Sequence, residues 1–102
     1  MQELVGIGHL VVIADAVLEQ RLLEAFLKLG AKGYNCHYCM GKGRHEIMED
    51  PFTGRSRVRI EVLAQMDVAK KILDFLHGKP FGRYPLAAYI ETVQVDKRDN
   101  FY

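Results

Sequence analysis

Leu10-Val11-Val12-Ile13-Ala14-Asp15 joins an apolar, largely β-branched run to a single carboxylate. A continuous run of this kind suits a central strand buried on both faces. Asp15 is placed to accept the free amides of a helix's first turn. Beyond it, Leu18, Leu22, Ala25, Phe26 and Leu29 recur at helical spacing as one apolar stripe, with Glu19, Arg21, Glu24 and Lys28 off it. Gly30 stands where a helix end favours a left-handed residue. Upstream, Leu4, Val5 and Ile7 could extend the strand, but Gly6 and Gly8 weaken that extension.

Further along, Tyr34, Cys36, Tyr38 and Met40 share one parity and Asn35, His37 and Cys39 the other, which predicts a second strand over 33–40. A polar stretch with no periodicity follows, carrying the turn chemistry of Asp50-Pro51-Phe52-Thr53-Gly54. Val58, Ile60, Val62 and Ala64 then alternate with Arg57, Arg59 and Glu61, as in a half-buried third strand. Asp67 is placed to cap a second helix with the stripe Val68, Ile72, Phe75 and Leu76, stopped by Gly78 and Pro80. Tyr84-Pro85 leads into a last strand over 86–95, and a polar tail covers 96–102. The order β-α-β, long loop, β-α-β predicts an α+β, ferredoxin-like split βαβ sandwich (βαββαβ) as a single domain over 1–102.

The 102 residues are 49% hydrophobic and 26% charged, an ordinary globular balance able to bury a core. A formal charge of +1 and the lack of an aromatic ladder flanked by basic residues argue against nucleic acid as a partner. The longest apolar run is too short to span a membrane, and Met1-Gln2-Glu3 does not begin like a signal peptide. Two cysteines make no disulfide framework, so a cytoplasmic location with reduced thiols is expected.

Basic residues are concentrated locally: from Gly41 to Arg59 there are five Lys or Arg against three Asp or Glu. Gly41 and Gly43 have no side chain to hold a ligand off the backbone, so their amides can form a nest for an anion. Lys42 and Arg44 add charge, and arginine adds a bidentate fork. Arg55, Arg57 and Arg59 fall on one strand face, read either as a solvated face or as the far wall of the anion site. In Lys79-Pro80-Phe81-Gly82-Arg83-Tyr84-Pro85, Gly82 permits close backbone approach while Arg83 and Tyr84 offer phosphate and base contacts. Cys36-His37-Tyr38-Cys39 suggests a metal, but Cys36 points away from His37 and Cys39 in a strand, and no second pair completes a tetrahedral set. His37 with Cys39 remains as an alternative, a small ferredoxin-like enzyme or metal-binding protein. His9, His45 and His77 stand alone in the sequence.

The run Leu10-Val11-Val12-Ile13 leading into a helix, then Gly30-Ala31-Lys32-Gly33-Tyr34, then Gly41-Lys42-Gly43, resembles the PII-like proteins associated with bicarbonate transporters. Phe81, Tyr84, Tyr89 and Ile90 match that group's pattern around its last strand, and the likeness spans roughly residues 9 to 95. Within the group the chain looks most similar to the carboxysome-associated type. The resemblance implies a homotrimer with adenine-nucleotide sites between subunits and a T-loop at about 41–56, mobile when empty and ordered by ligand. It implies ADP, or AMP or ATP, bound together with bicarbonate, with no metal and no catalysis. Carried over by position, Gly41, Lys42, Gly43 and Arg44 would hold phosphate or bicarbonate, Arg57 and Arg59 would be charge partners, and Gly82, Arg83, Tyr84 and Tyr89 would form the neighbouring wall. A bicarbonate transporter or another membrane protein would answer the T-loop, without insertion of this chain into the bilayer. The uridylylated tyrosine context and glycine-rich B-loop pattern of nitrogen-signalling PII proteins are missing, as is the C-terminal cysteine pair of the cyanobacterial relatives. Lys97 and Arg98 are further cations for a phosphate.

Overall fold

Alternating burial along one strand sets the architecture: Val58, Ile60, Val62 and Ala64 are buried, with Arg59, Glu61 and Leu63 between them only partly so. The structure, a computed structural model of the chain, describes residues 3–40 and 56–99. Its strands are β1 (Leu4–Asp15), β2 (Asn35–Met40), β3 (Ser56–Ala64) and β4 (Ala87–Asp96); its helices are α1 (Glu19–Lys28) and α2 (Met66–His77). The sheet order is β2-β3-β1-β4 and every neighbouring pair is antiparallel. This is the expected split βαβ arrangement, in which α1 carries the chain past the position later filled by β3 and α2 carries it past β1.

Successive strand residues face opposite sides. Leu10, Val12 and Ala14 of β1 join Val58, Ile60, Val62 and Ala64 of β3 against Leu22 and Phe26 of α1 and Ala69, Ile72 and Leu76 of α2. The other side of the sheet, called the open face below, carries His9, Val11, Arg57, Arg59, Glu61, Tyr89 and Glu91 by register. Among the described residues no helix lies over it.

Asp15 accepts from the Val17 amide at 3.0 Å, as expected of a cap, although a single 3-10 turn (Ala16–Leu18) comes before α1. Gly30 ends α1 with φ +115°, a conformation L side chains rarely adopt. Several boundaries differ from expectation, among them β2, which starts at Asn35 and not at residue 33. β1 runs back to Leu4, because Leu4 to Ile7 pair with Val93 to Asp96 of β4. Gly8 belongs there sterically: an added Cβ would stand 2.9 Å from the Ala69 Cβ, so its absence lets α2 approach the sheet. α2 begins one residue before Asp67, which therefore sits in the first turn and favours the helix dipole instead of capping it. The last strand starts at Ala87 and takes in Asp96, the first residue of the expected tail. Of the expected T-loop over 41–56, only Ser56 lies within the described residues.

Candidate functional site

Arg59 organises the polar cluster on the open face. Its Nη2 lies 3.2 Å from Glu61 Oε1, and the same oxygen is 3.2 Å from His9 Nε2. His9 Nδ1 is 2.7 Å from Glu91 Oε1. A carboxylate only accepts, so both histidine contacts together require a proton on each ring nitrogen. The Arg59 guanidinium holds the Glu61 carboxyl below its ordinary range, with His9 assisting and burial opposing. Glu61, and then the Tyr89 hydroxyl, hold Arg59 above its own. Arg59 and Tyr89, both expected site residues, are thus brought together. Arg57 lies on the same face, opposite Asp15 and Cys39, and is only 8% exposed, so it is no solvated strand charge.

Glu61 gives the cluster a pH dependence. Its carboxyl is more acidic folded than unfolded, so the stability it contributes is complete above its unfolded value of about 4.3 and is lost as pH falls through the lower folded value. Glu61→Gln is therefore expected to lower stability at neutral pH and to flatten the acid limb of a melting-temperature profile. An acid limb as steep as that of the wild type would remove Glu61 from the account.

The loop after α2 lies on the other layer. Phe81 is buried, its ring centre 5.5 Å from that of Phe75 and 6.4 Å from that of Tyr84. Arg83 Nη2 donates to the Tyr84 hydroxyl at 3.3 Å. Arg21 from α1 comes near the same ring, and the two guanidiniums, Arg21 first, hold the phenol below its ordinary range. A cavity of about 520 Å³ opens alongside, lined by His77, Gly78, Lys79, Pro80, Gly82 and Arg83. Gly82 is required for a reason other than ligand approach. A Cβ there would come within 2.4 Å of the His77 carbonyl oxygen, on which the loop is folded.

The expected site residues therefore divide. Arg57, Arg59 and Tyr89 lie on the open face, and Gly82, Arg83 and Tyr84 beside the helices; Gly41, Lys42, Gly43 and Arg44 lie outside the described residues. Sequence reading missed His9, Glu61, Glu91 and Arg21. The first three were detectable only through register, and Arg21 only through the path of a loop about sixty residues further along the chain. Tail charges are neutralised within the chain: Lys97 Nζ is 3.3 Å from Glu3 Oε2, and Arg98 Nε bonds Asp96 Oδ1 at 2.9 Å.

The two cysteines are free and face apart as expected. Cys36 and Tyr38 reach Glu19 on the helix side, at 3.9 and 3.2 Å. Burial, then Glu19, pushes the Cys36 thiol up, away from nucleophilic use. Opposite Arg59 and Arg57 stand His37 and Cys39. Among the described residues no group of three or more His, Cys, Asp or Glu could hold a metal ion. Nor is any described helix long and apolar enough to cross a membrane.

The family described as Nitrogen regulatory protein P-II matches residues 8–100. No curated protein matches the chain. Among solved structures, a PII-like signaling protein from Thermus thermophilus is 33% identical over 91% of both chains, with a TM-score of 0.75. CPII of Thiomonas intermedia, a nitrogen regulatory PII-like protein, was solved with ADP, AMP and bicarbonate; it is 17% identical over 91% of this chain and 96% of its own, TM-score 0.77. The same protein with ADP and bicarbonate gives 18% identity over 93% of each chain and a TM-score of 0.80.

Proposed function

The chain belongs to the nitrogen regulatory protein P-II family, and on that premise we propose that it is a non-enzymatic sensor of the bicarbonate-transporter- and carboxysome-associated kind. In this reading it is a cytoplasmic homotrimer that binds an adenine nucleotide, ADP foremost but also AMP or ATP, together with bicarbonate in clefts between subunits. It signals through the T-loop segment, 41–56, to a bicarbonate transporter or another membrane protein in inorganic-carbon uptake.

One observation carries the reading furthest. The anion-binding candidates of one chain are split between its open face and its helix side, so a site uniting them takes groups from two chains. The open face, with its charged cluster around His9 and Arg59, is a surface that such an assembly would cover. Supporting the ligand assignment, the Thiomonas protein of the same fold was solved with ADP, AMP and bicarbonate.

A ligand shifts a segment only through its differential affinity for two states. Two ligands that favour the same state therefore bind cooperatively, and couplings of this kind are typically worth about 5- to 150-fold in affinity. Calorimetric titration with ADP, AMP and ATP is expected to show tighter binding when bicarbonate is present, at matched pH and ionic strength. The solution mass is expected to be three times the 11.7 kDa of one chain. Equal affinities with and without bicarbonate would end the coupled-sensor reading.

A further inference from the structure

Arg21 lies on the outer flank of α1, where helical spacing alone makes it a solvated charge. Its guanidinium carbon is nevertheless 5.9 Å from the centre of the Phe81 ring and 5.7 Å from that of Tyr84. Arg83 meets the Tyr84 ring at 5.2 Å. Ion pairs within the described residues go elsewhere: Arg59 to Glu61, Lys97 to Glu3 and Arg98 to Asp96. Arg21 and Arg83 have no carboxylate partner among the described residues. Two like charges drawn onto one phenol repel each other, and that repulsion is relieved when an anion joins them.

We propose that Arg21 is an anion-binding residue, forming with Arg83 and the Tyr84 hydroxyl a clamp for a diphosphate group, with Arg83 shared between the clamp and the cavity that Lys79 also lines. The clamp itself would take any diphosphate; that the natural one belongs to a nucleotide rests on the sensor reading above. The aromatic faces hold the flat guanidiniums by stacking, which leaves N–H edges free to fork onto phosphate oxygens. The Tyr84 hydroxyl accepts from Arg83 and retains its own proton to donate. The two guanidiniums beside it favour its ionised form, which makes that proton the more readily shared. Lys79, lining the same cavity, adds a point charge.

The test compares the full-length wild type with Arg21→Gln, Arg21→Lys and Lys28→Gln by calorimetry, using pyrophosphate, ADP and adenosine as probes. Arg21→Gln is expected to weaken pyrophosphate and ADP about tenfold, the effect of losing a charge-assisted hydrogen bond, and to leave adenosine unchanged. Arg21→Lys keeps the charge without the fork and is expected to fall between, which also covers an Arg21→Gln protein that does not fold. Lys28→Gln removes the same charge from the far end of α1 and is expected to change nothing. Ultraviolet titration should show one tyrosine ionising at higher pH in Arg21→Gln than in the wild type. The clamp is overturned if the wild type fails to bind pyrophosphate, if Arg21→Gln binds it normally, if Lys28→Gln loses as much, or if adenosine weakens equally. A wild type that binds pyrophosphate but neither ADP nor bicarbonate would overturn the sensor reading and leave the clamp in place.

Discussion

Phe26→Ala is expected to lower the unfolding free energy by about 3–5 kcal/mol, the usual cost of removing a buried phenyl group. Phe26 is fully buried in the Leu18, Leu22, Phe26 stripe that holds α1 to the sheet. Its backbone oxygen also accepts from the Ala31 amide at 3.0 Å, which ties the end of α1 to the turn leading to β2. The strands beneath it cannot close the gap readily, since β1 is paired along both edges. In a domain of this length each kcal/mol shifts the melting temperature by about 4–8 °C, so a fall of more than about 12 °C is expected. The melts must be run at one protein concentration, because assembly makes the midpoint concentration-dependent. Leu27→Ala, at the neighbouring and half-exposed position, provides the comparison and should stay within about 1 kcal/mol. Similar falls for the two variants would mean that α1 is not anchored through its apolar stripe.

What the sequence revealed and what it hid follow from the range of the forces involved. Periodicity is local, so the alternation of Val58, Ile60, Val62 and Ala64 and the stripe through Phe26 were readable directly. The glycine closing α1 was equally local, since Gly30 answers a backbone angle of its own residue. Gly6 and Gly8 misled because their merit lies in other elements: Gly6 pairs with Gln94, and Gly8 makes room for Ala69. His9 looked isolated because its partners are 52 and 82 residues away in the chain. Arg57 looked solvated because alternation assigns a side chain to a face without saying what covers that face. Asp67 was two residues out of place, the cap position falling on Gln65, the ordinary uncertainty of a helix boundary. The candidate site was legible as a set of residue types, whereas its division between two layers was not. That division depends on which side of the sheet the loop after α2 returns to, a property of the whole topology.

Gly82→Ala is expected to have the largest effect of any single methyl group in the candidate site. An ideal Cβ at Gly82 would lie 2.4 Å from the His77 oxygen and 3.0 Å from its carbonyl carbon. Both are backbone atoms in the last turn of α2, and the Gly82 amide already donates to the Gly78 oxygen at 2.7 Å. No side chain can swing away to relieve this contact, so the loop itself has to move. Overpacking of this kind costs about 1–3 kcal/mol. The residues displaced first are the next two, Arg83 and Tyr84, so pyrophosphate and ADP affinity should fall together with stability. Gly78→Ala separates this effect from a general intolerance of the loop. A Cβ at Gly78 would meet only the Phe75 oxygen, at an ordinary 3.5 Å, and the residue's φ of −90° suits any L side chain. It is expected to melt within about 0.5 kcal/mol of the wild type and to bind as the wild type does. If Gly82→Ala also binds and melts normally, the close approach to His77 does not position Arg83 and Tyr84. If both variants fail alike, the loop is sensitive as a whole, and the specific role of Gly82 is lost.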